Sequence, residues 1–170
     1  MTNTLQELRI RDAVPDDAEA LVGLLNPIIE AGTTALDTML TVAGERDYIT
    51  ALPNRAIFLV AIQVPDGRLV GCQSVEHFGS GTHAFDHVGV MGTYVDVACQ
   101  RQGIGRQLFE ATFERARRMG YEKIFTYVRA DNEAGLAAYL GQGFEVVGTA
   151  KRHAKIHGRY IDEVLIERFL

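Results

Sequence analysis

The residues with the clearest capacity for chemistry are Gln100-Arg101-Gln102-Gly103-Ile104-Gly105-Arg106, where an apolar, β-rich run (87–97) gives way to a strongly periodic segment (103–119). The spacing predicts a strand, a turn and a helix. The first turn of a helix carries N–H groups without intrahelical partners, and the helix dipole adds partial positive charge. Glycine there removes the Cβ that would hold an anion away and tolerates unusual φ values. The stretch therefore reads as a phosphate cradle. Two familiar phosphate loops match it poorly. A dinucleotide fingerprint wants a third glycine where this chain has Leu108, and a P-loop wants Gly-Lys-Ser/Thr where it has Gly105-Arg106-Gln107. A plain glycine-rich surface turn is the remaining alternative.

Gln100-x-x-Gly103-x-Gly105 resembles the Gln/Arg-x-x-Gly-x-Gly/Ala signature of the GNAT superfamily of N-acetyltransferases. A second block downstream, running from Asn132 through Tyr139 to Gly143-Phe144, is similar to that superfamily's Asn…Ala…Tyr…Gly-Phe segment. Together the blocks cover roughly the C-terminal half, and the subgroup they most resemble contains phosphinothricin and amino-acid N-acetyltransferases. The resemblance implies an α/β fold, a mixed and mostly antiparallel twisted sheet of about six to seven strands with helices on both faces, as one domain over residues 1–170. It implies acetyl-coenzyme A as cosubstrate and no metal. Gln100, Arg101, Gln102, Gly103, Ile104, Gly105 and Arg106 would hold the pyrophosphate. Backbone groups at Val95, Asp96 and Val97 would pair with the pantetheine arm and the acetyl carbonyl, Asn132 would touch that arm, and Tyr139 would protonate the leaving thiolate.

Acetyl transfer to an amine needs a held donor, a neutral amine, a stabilised oxyanion and a proton for the thiolate. A tyrosine near pKa ~10 giving its proton to a thiolate whose acid is near ~8.5 works uphill by about 2 kcal/mol, so hydrogen bonding must assist it. Tyr139 on a short amphipathic helix reads equally well as a core residue. Asn132 also reads as a helix cap. The general base is open. Several relatives resembling phosphinothricin acetyltransferase carry a glutamate where this chain has Val90, and the nearby candidates are Glu76, His77, Asp86, His87 or water. An α-amine of pKa ~8 is about one-tenth neutral at pH 7, a cost of about 1.4 kcal/mol, whereas a lysine amine costs about 4.6 kcal/mol. The lack of an obvious base leans toward an α-amino acceptor. The sequence thus predicts direct acetylation of a small primary amine, an amino acid or analogue. A protein N-terminal or lysine acetyltransferase and a non-catalytic acyl-coenzyme A sensor are the alternatives.

The elements that must position these groups follow from pattern. Leu8–Ala13 alternates as a strand. Pro15-Asp16-Asp17 starts a helix striped by Ala18, Leu21, Leu24 and Leu25, with Pro27 set to kink or shorten it. Residues 41–52 read as a weaker helix and 56–64 as a strand. Residues 65–68 form a turn, 69–76 a returning strand and 78–82 a loop. The helix 103–119 turns Ile104, Leu108, Phe109, Thr112 and Ala116 to one side. Strands follow at 123–128, 144–147 and 159–169, with a helix at 132–140. Lys151 to Glu163 resembles the C-terminal segment of small-molecule acetyltransferases and reads as a loop into the final strand.

Composition excludes several classes. With 170 residues and 47% hydrophobic content the chain can bury a sizeable core, and no apolar run approaches the ~20 residues of a membrane span. The polar start argues against a leader peptide. A net charge of −5 disfavours nucleic acid. Cys72 and Cys99 show no metal or disulfide spacing, and a reducing, cytoplasmic setting is expected. The histidine pairs His83/His87 and His153/His157 lack a third ligand. Dimers are common in the resembled family, so a homodimer is one expected assembly.

Overall fold

The computed structural model describes residues 7–79 and 81–170. Met1–Gln6, whose polarity argued against a leader, and Ser80 of the 78–82 loop lie outside the described residues. The elements are β1 (Leu8–Asp12), α1 (Ala18–Glu30), α2 (Val42–Thr50), β2 (Ile57–Gln63), β3 (Leu69–His77), β4 (Val88–Val95), α3 (Ile104–Arg118), β5 (Lys123–Arg129), α4 (Glu133–Leu140), β6 (Glu145–Ile156) and β7 (Arg159–Phe169). The strands form a seven-stranded sheet in the order β1-β2-β3-β4-β5-β7-β6. Every adjacent pair is antiparallel except β4–β5, which is parallel.

Two apolar cores cover the two faces, as the expected fold requires. On one face α3 presents Ile104, Leu108, Phe109, Phe113 and Ala116, all buried, and Tyr139 of α4 joins the same cluster. On the other, Leu21, Leu24, Leu25 and Ile28 of α1 pack with Ile49 of α2 over Phe58, Val60 and Cys72. Each large apolar side chain buried this way contributes roughly 1.5–3 kcal/mol. The exposed side of α3 carries the ion pairs Arg106–Glu110 and Arg118–Glu114 at helical spacing.

Four expectations need correction. Pro27 does not shorten α1, which runs on to Glu30; burial of Ile28 and Ile29 beyond it holds the last turn. The second helix is shorter than expected, Val42–Thr50; Thr41 is its cap, accepting a hydrogen bond from Gly44 N–H, and Ala51 closes its other end. The long strand ends at Val95, and Val97 instead begins a 3₁₀ turn (Val97–Cys99) capped by Asp96, whose carboxylate accepts from Ala98 N–H at 2.8 Å. Lys151 to Ile156 is strand rather than loop. β6 bulges between Ala150 and Ala154 while pairing with β7, and it turns at His157-Gly158, both at positive φ. β6 is an edge strand with few buried side chains, so its basic residues carried no alternation to read.

The β4–β5 contact is short, Val88–Lys123, Gly89–Ile124 and Val90–Phe125. It depends on Gly89, where a Cβ would lie 2.5 Å from Val75 Cγ1 and 3.2 Å from Ile124 Cδ1. Gly89→Ala is expected to cost about 1–3 kcal/mol through overpacking. The measurement is urea unfolding, with a lower midpoint at an unchanged slope.

Candidate active site

Past Val90 and Phe125 the two parallel strands separate. At the apex Thr126 Oγ1 donates to Met91 C=O at 2.6 Å, so a side chain takes the place of a ladder bond. β4 stays paired with β3 through Val95–Gly71 and Thr93–Gln73. Asp96 N–H donates to Val70 C=O at 2.9 Å, which makes Val95–Gly71 a non-hydrogen-bonded pair. The main-chain groups of Thr93 and Val95 therefore point away from β3, into the gap. Of the three backbone positions expected to meet the acetyl donor, Val95 faces the gap. Asp96 has spent its N–H on β3, and Val97 lies in the 3₁₀ turn, 61% exposed.

The strand leads to the glycine loop. Arg101 has φ 62° and Gly103 has φ 82°, two left-handed residues that fold the chain sharply into α3. Gly103 is the N-cap and supplies no side-chain cap to the first turn. The N–H groups of Ile104, Gly105 and Arg106 thus lack intrahelical partners. Added to Gly105, a Cβ would find only Val95 Cγ2, at 3.9 Å, so the space above the turn is open. Ile104 is core, 1% exposed. The Arg106 guanidinium lies back along the helix on Glu110, at 2.9 Å. Gln100, Arg101 and Gln102 are exposed.

Tyr139 is a core residue by its ring and carries its hydroxyl to β4. Its ring packs edge-on against Phe109 (5.3 Å) and Phe144 (5.1 Å) in the core. Its hydroxyl donates to Thr93 Oγ1 at 2.9 Å. The hydroxyl therefore lies against β4, just past the apex. Burial pushes its pKa well above the ordinary range, and the hydrogen bond to Thr93 opposes that shift. Asn132 caps α4 by accepting from Gly135 N–H (2.9 Å) and donates to Thr33 C=O (3.0 Å). Arg129 donates to Thr34 C=O at 3.3 Å. The Thr33-Thr34 segment is thereby strapped to the end of β5 and the start of α4.

Among the base candidates, His77 has both ring nitrogens occupied, Nδ1 by Gly79 C=O (2.7 Å) and Nε2 by Asp86 (3.1 Å). Asp86 gathers His77, His83 and Arg55, and its two histidine partners hold its carboxyl below the usual range. His87 precedes β4, at the closed end of the β4–β5 contact. Glu76 lies directly across from Val90 and accepts from Tyr48 Oη at 2.6 Å. Among the described residues no group of three side chains is arranged to hold a metal. No helix there is long and apolar enough to cross a membrane.

The separated parallel strands, the left-handed glycine turn at the start of α3 and the Tyr139 hydroxyl meet at the open end of the β4–β5 pair. Residues 29–165 match the acetyltransferase (GNAT) domain, and the chain belongs to that family. It is 37% identical over 93 residues to N-alpha-acetyltransferase RimI of Mycobacterium tuberculosis, a match spanning 54% of this chain and 55% of that one. It is 25% identical over 158 residues to an L-methionine sulfoximine/L-methionine sulfone acetyltransferase of Pseudomonas paraeruginosa, covering 90% and 89% of the two chains. The structure of a ribosomal-protein-alanine N-acetyltransferase from Brucella melitensis superposes with a TM-score of 0.85 at 28% identity, over 95% of this chain and 99% of that one. GNAT acetyltransferases draw their acetyl group from acetyl-coenzyme A. The site fits that donor: the open glycine turn suits a pyrophosphate, and the unpaired main-chain groups of Thr93 and Val95 suit an amide-bearing arm.

The sequence reading missed four polar residues in the sheet. Thr93 accepts from the Tyr139 hydroxyl, Gln73 donates to Thr93, and Thr126 donates to Met91 C=O at the apex. Glu163 of β7 is 1% exposed, and neither carboxylate oxygen has a hydrogen-bond partner. Their one signal was a polar type at an inward strand position. Arg129 pairs with Glu163 in register but spends its guanidinium on Asp131 (2.8 and 2.7 Å) and Thr34.

Gly105→Val is expected to weaken coenzyme A binding at least tenfold by calorimetry with the melting temperature held, because the new side chain occupies only the open space above the turn. Gly103 is a poorer test, since its positive φ strains any replacement. Burial raises the Glu163 carboxyl above its unfolded value. Its folded form thus binds a proton more tightly, and stability is lost as pH rises from the unfolded value (~4.3) through the folded one. Glu163→Gln is expected to raise stability by about 1–2 kcal/mol at pH 7. The gain should vanish below pH ~4, where both states are protonated. Denaturant unfolding at the two pH values checks the sign.

Proposed function

We propose that the protein acetylates the amino group of a small amino acid or amino-acid analogue by direct attack on the acetyl thioester, with Tyr139 as general acid. The observation that carries this reading is the Tyr139 hydroxyl, 2.9 Å from Thr93 Oγ1 at the open end of the β4–β5 pair. The amine enters beneath the Thr33-Thr34 strap and attacks the carbonyl. Main-chain groups of Val95 orient the donor, and the turn from Gln100 to Arg106 holds its pyrophosphate through the free N–H groups of α3. Asn132 fixes α4, and hence Tyr139, against the strap. As the C–S bond breaks, Tyr139 gives its proton to sulfur. The amine's own proton leaves through water or Glu76. Similarity to an acetyltransferase of methionine sulfoximine and methionine sulfone supports an amino-acid-like acceptor.

A second reading, acetylation of a protein N-terminus, is supported by the likeness to RimI and to the ribosomal-protein-alanine enzyme. Thiol release over a panel of free amino acids, their sulfoximine and sulfone analogues, and short peptides separates the two. Turnover of free amino acids or analogues supports the first reading, and turnover of peptides alone supports the second. Tyr139→Phe is expected to lower kcat by ~10²–10⁴ if the acid role holds. Acetyl-coenzyme A affinity should stay nearly unchanged, and the lost buried hydrogen bond should cost only about 1 kcal/mol of stability. A variant within about threefold of the parent kcat, with chemistry rate-limiting, would exclude the acid role.

A further inference from the structure

We propose that Gln73 and Thr93 are positioning residues for the general acid, forming a one-way hydrogen-bond chain that stabilises the Tyr139 phenolate as its proton leaves. The inference rests on Tyr139 being the acid, as proposed above. Gln73 is completely buried in β3, directly opposite Thr93 in β4. Its Nε2 donates to Thr93 Oγ1 at 2.8 Å, while its Oε1 has no partner. An apolar residue of the same shape would avoid that unmade bond. What the amide supplies here is its donor.

The proton inventory gives the chain a direction. A threonine hydroxyl has one proton and two lone pairs. Gln73 Nε2 and the Tyr139 hydroxyl both donate to Thr93 Oγ1, which fills both lone pairs. Thr126 spends its proton on Met91 C=O, so it has none to give to Tyr139. Of the groups around the Tyr139 oxygen, Thr93 is the one that can donate to it. Gln73 Nε2 cannot take the Thr93 proton, because an amide nitrogen only donates.

The step balances as follows. The C–S bond breaks with its electron pair staying on sulfur, and the Tyr139 proton moves to that sulfur. Thr93 turns its O–H toward the phenolate oxygen, with Gln73 still holding Oγ1 in place. A proton shed by the newly acylated nitrogen then returns to Tyr139 through water. The same bond thus runs from tyrosine to threonine before transfer and from threonine to tyrosine after it. A hydrogen bond to a charged oxygen is stronger than one to a neutral oxygen, so the inversion favours the transition state over the ground state.

The test is a double-mutant cycle on kcat, with chemistry rate-limiting, for Thr93→Val, Tyr139→Phe and the pair. Thr93→Val is expected to lose about 10- to 100-fold in kcat, the worth of one hydrogen bond to a charged group, with acetyl-coenzyme A affinity unchanged. In the Tyr139→Phe background it should lose nothing further, and Thr93→Ser should restore most of the rate. Gln73→Met with Thr93→Val removes both polar partners, so that neither is left buried and unpaired. It should lose kcat to the same extent as Thr93→Val. A second readout needs no turnover: a polyfluorinated tyrosine at position 139, followed by ¹⁹F NMR, should ionise at higher pH when Thr93→Val is introduced. Equal losses with and without the Tyr139 hydroxyl, or an unmoved ionisation, would overturn the chain while leaving Tyr139 as acid. Full kcat in Tyr139→Phe would overturn the acid role and the chain together.

Discussion

Beyond the Val90–Phe125 pair, β4 and β5 no longer hydrogen-bond to one another, while each stays paired on its outer side, β4 with β3 and β5 with β7. Main-chain groups in a sheet interior are seldom left without partners, because an unmade bond there is costly. The structure meets this constraint at the apex with the Thr126 hydroxyl on Met91 C=O and leaves Thr93 and Val95 open further along. Around that opening the other parts are assembled: the glycine turn at the end of β4, the tyrosine of α4 on one face and the strap from the α1–α2 connection on the other. A fully paired sheet would have no place for an extended, amide-bearing donor.

The opening is held by packing at both ends. Gly89 lets β4 and β5 approach closely where they are paired, against Val75 and Ile124. At the far end the Tyr139 ring is wedged between Phe109 and Phe144, so its hydroxyl is fixed by the core rather than by a mobile loop. Asn132 links this arrangement to the opposite face, since one amide both caps α4 and ties down the strap. A tyrosine ring in the core and a hydroxyl at the site are therefore one structural device.

The glycine loop, Asn132 and Tyr139 were legible because each is a local pattern: Gly-x-Gly at a helix start, and Asn and Tyr at fixed spacing along α4. Both helix-bearing faces were legible for the same reason, since 3.6-residue periodicity marks the stripes of α1 and α3. The edge strand β6 was not. Its buried positions are few and a bulge breaks its alternation, so the basic run from Lys151 looked like solvated loop. Val97 was misjudged because a β-branched residue says little about where pairing stops. That limit is set by Asp96 capping a 3₁₀ turn.

By itself the sequence determined most of the helices and strands, where the glycine turn enters α3, and that Asn132 opens α4 with Tyr139 on it, because these depend on contacts within a few residues. Tertiary structure alone decided that Gln73 and the Tyr139 hydroxyl meet on Thr93, that Glu76 sits opposite Val90, and that Glu163 is buried without a donor. Those relations follow from strand register and from the order β3-β4-β5-β7, which bring together residues such as Gln73 and Thr93, 20 positions apart, while α4 brings Tyr139 to Thr93 over 46 positions. Register is set by the packing of whole faces, and a lone polar residue within an apolar run gives no sign of which distant partner it will meet.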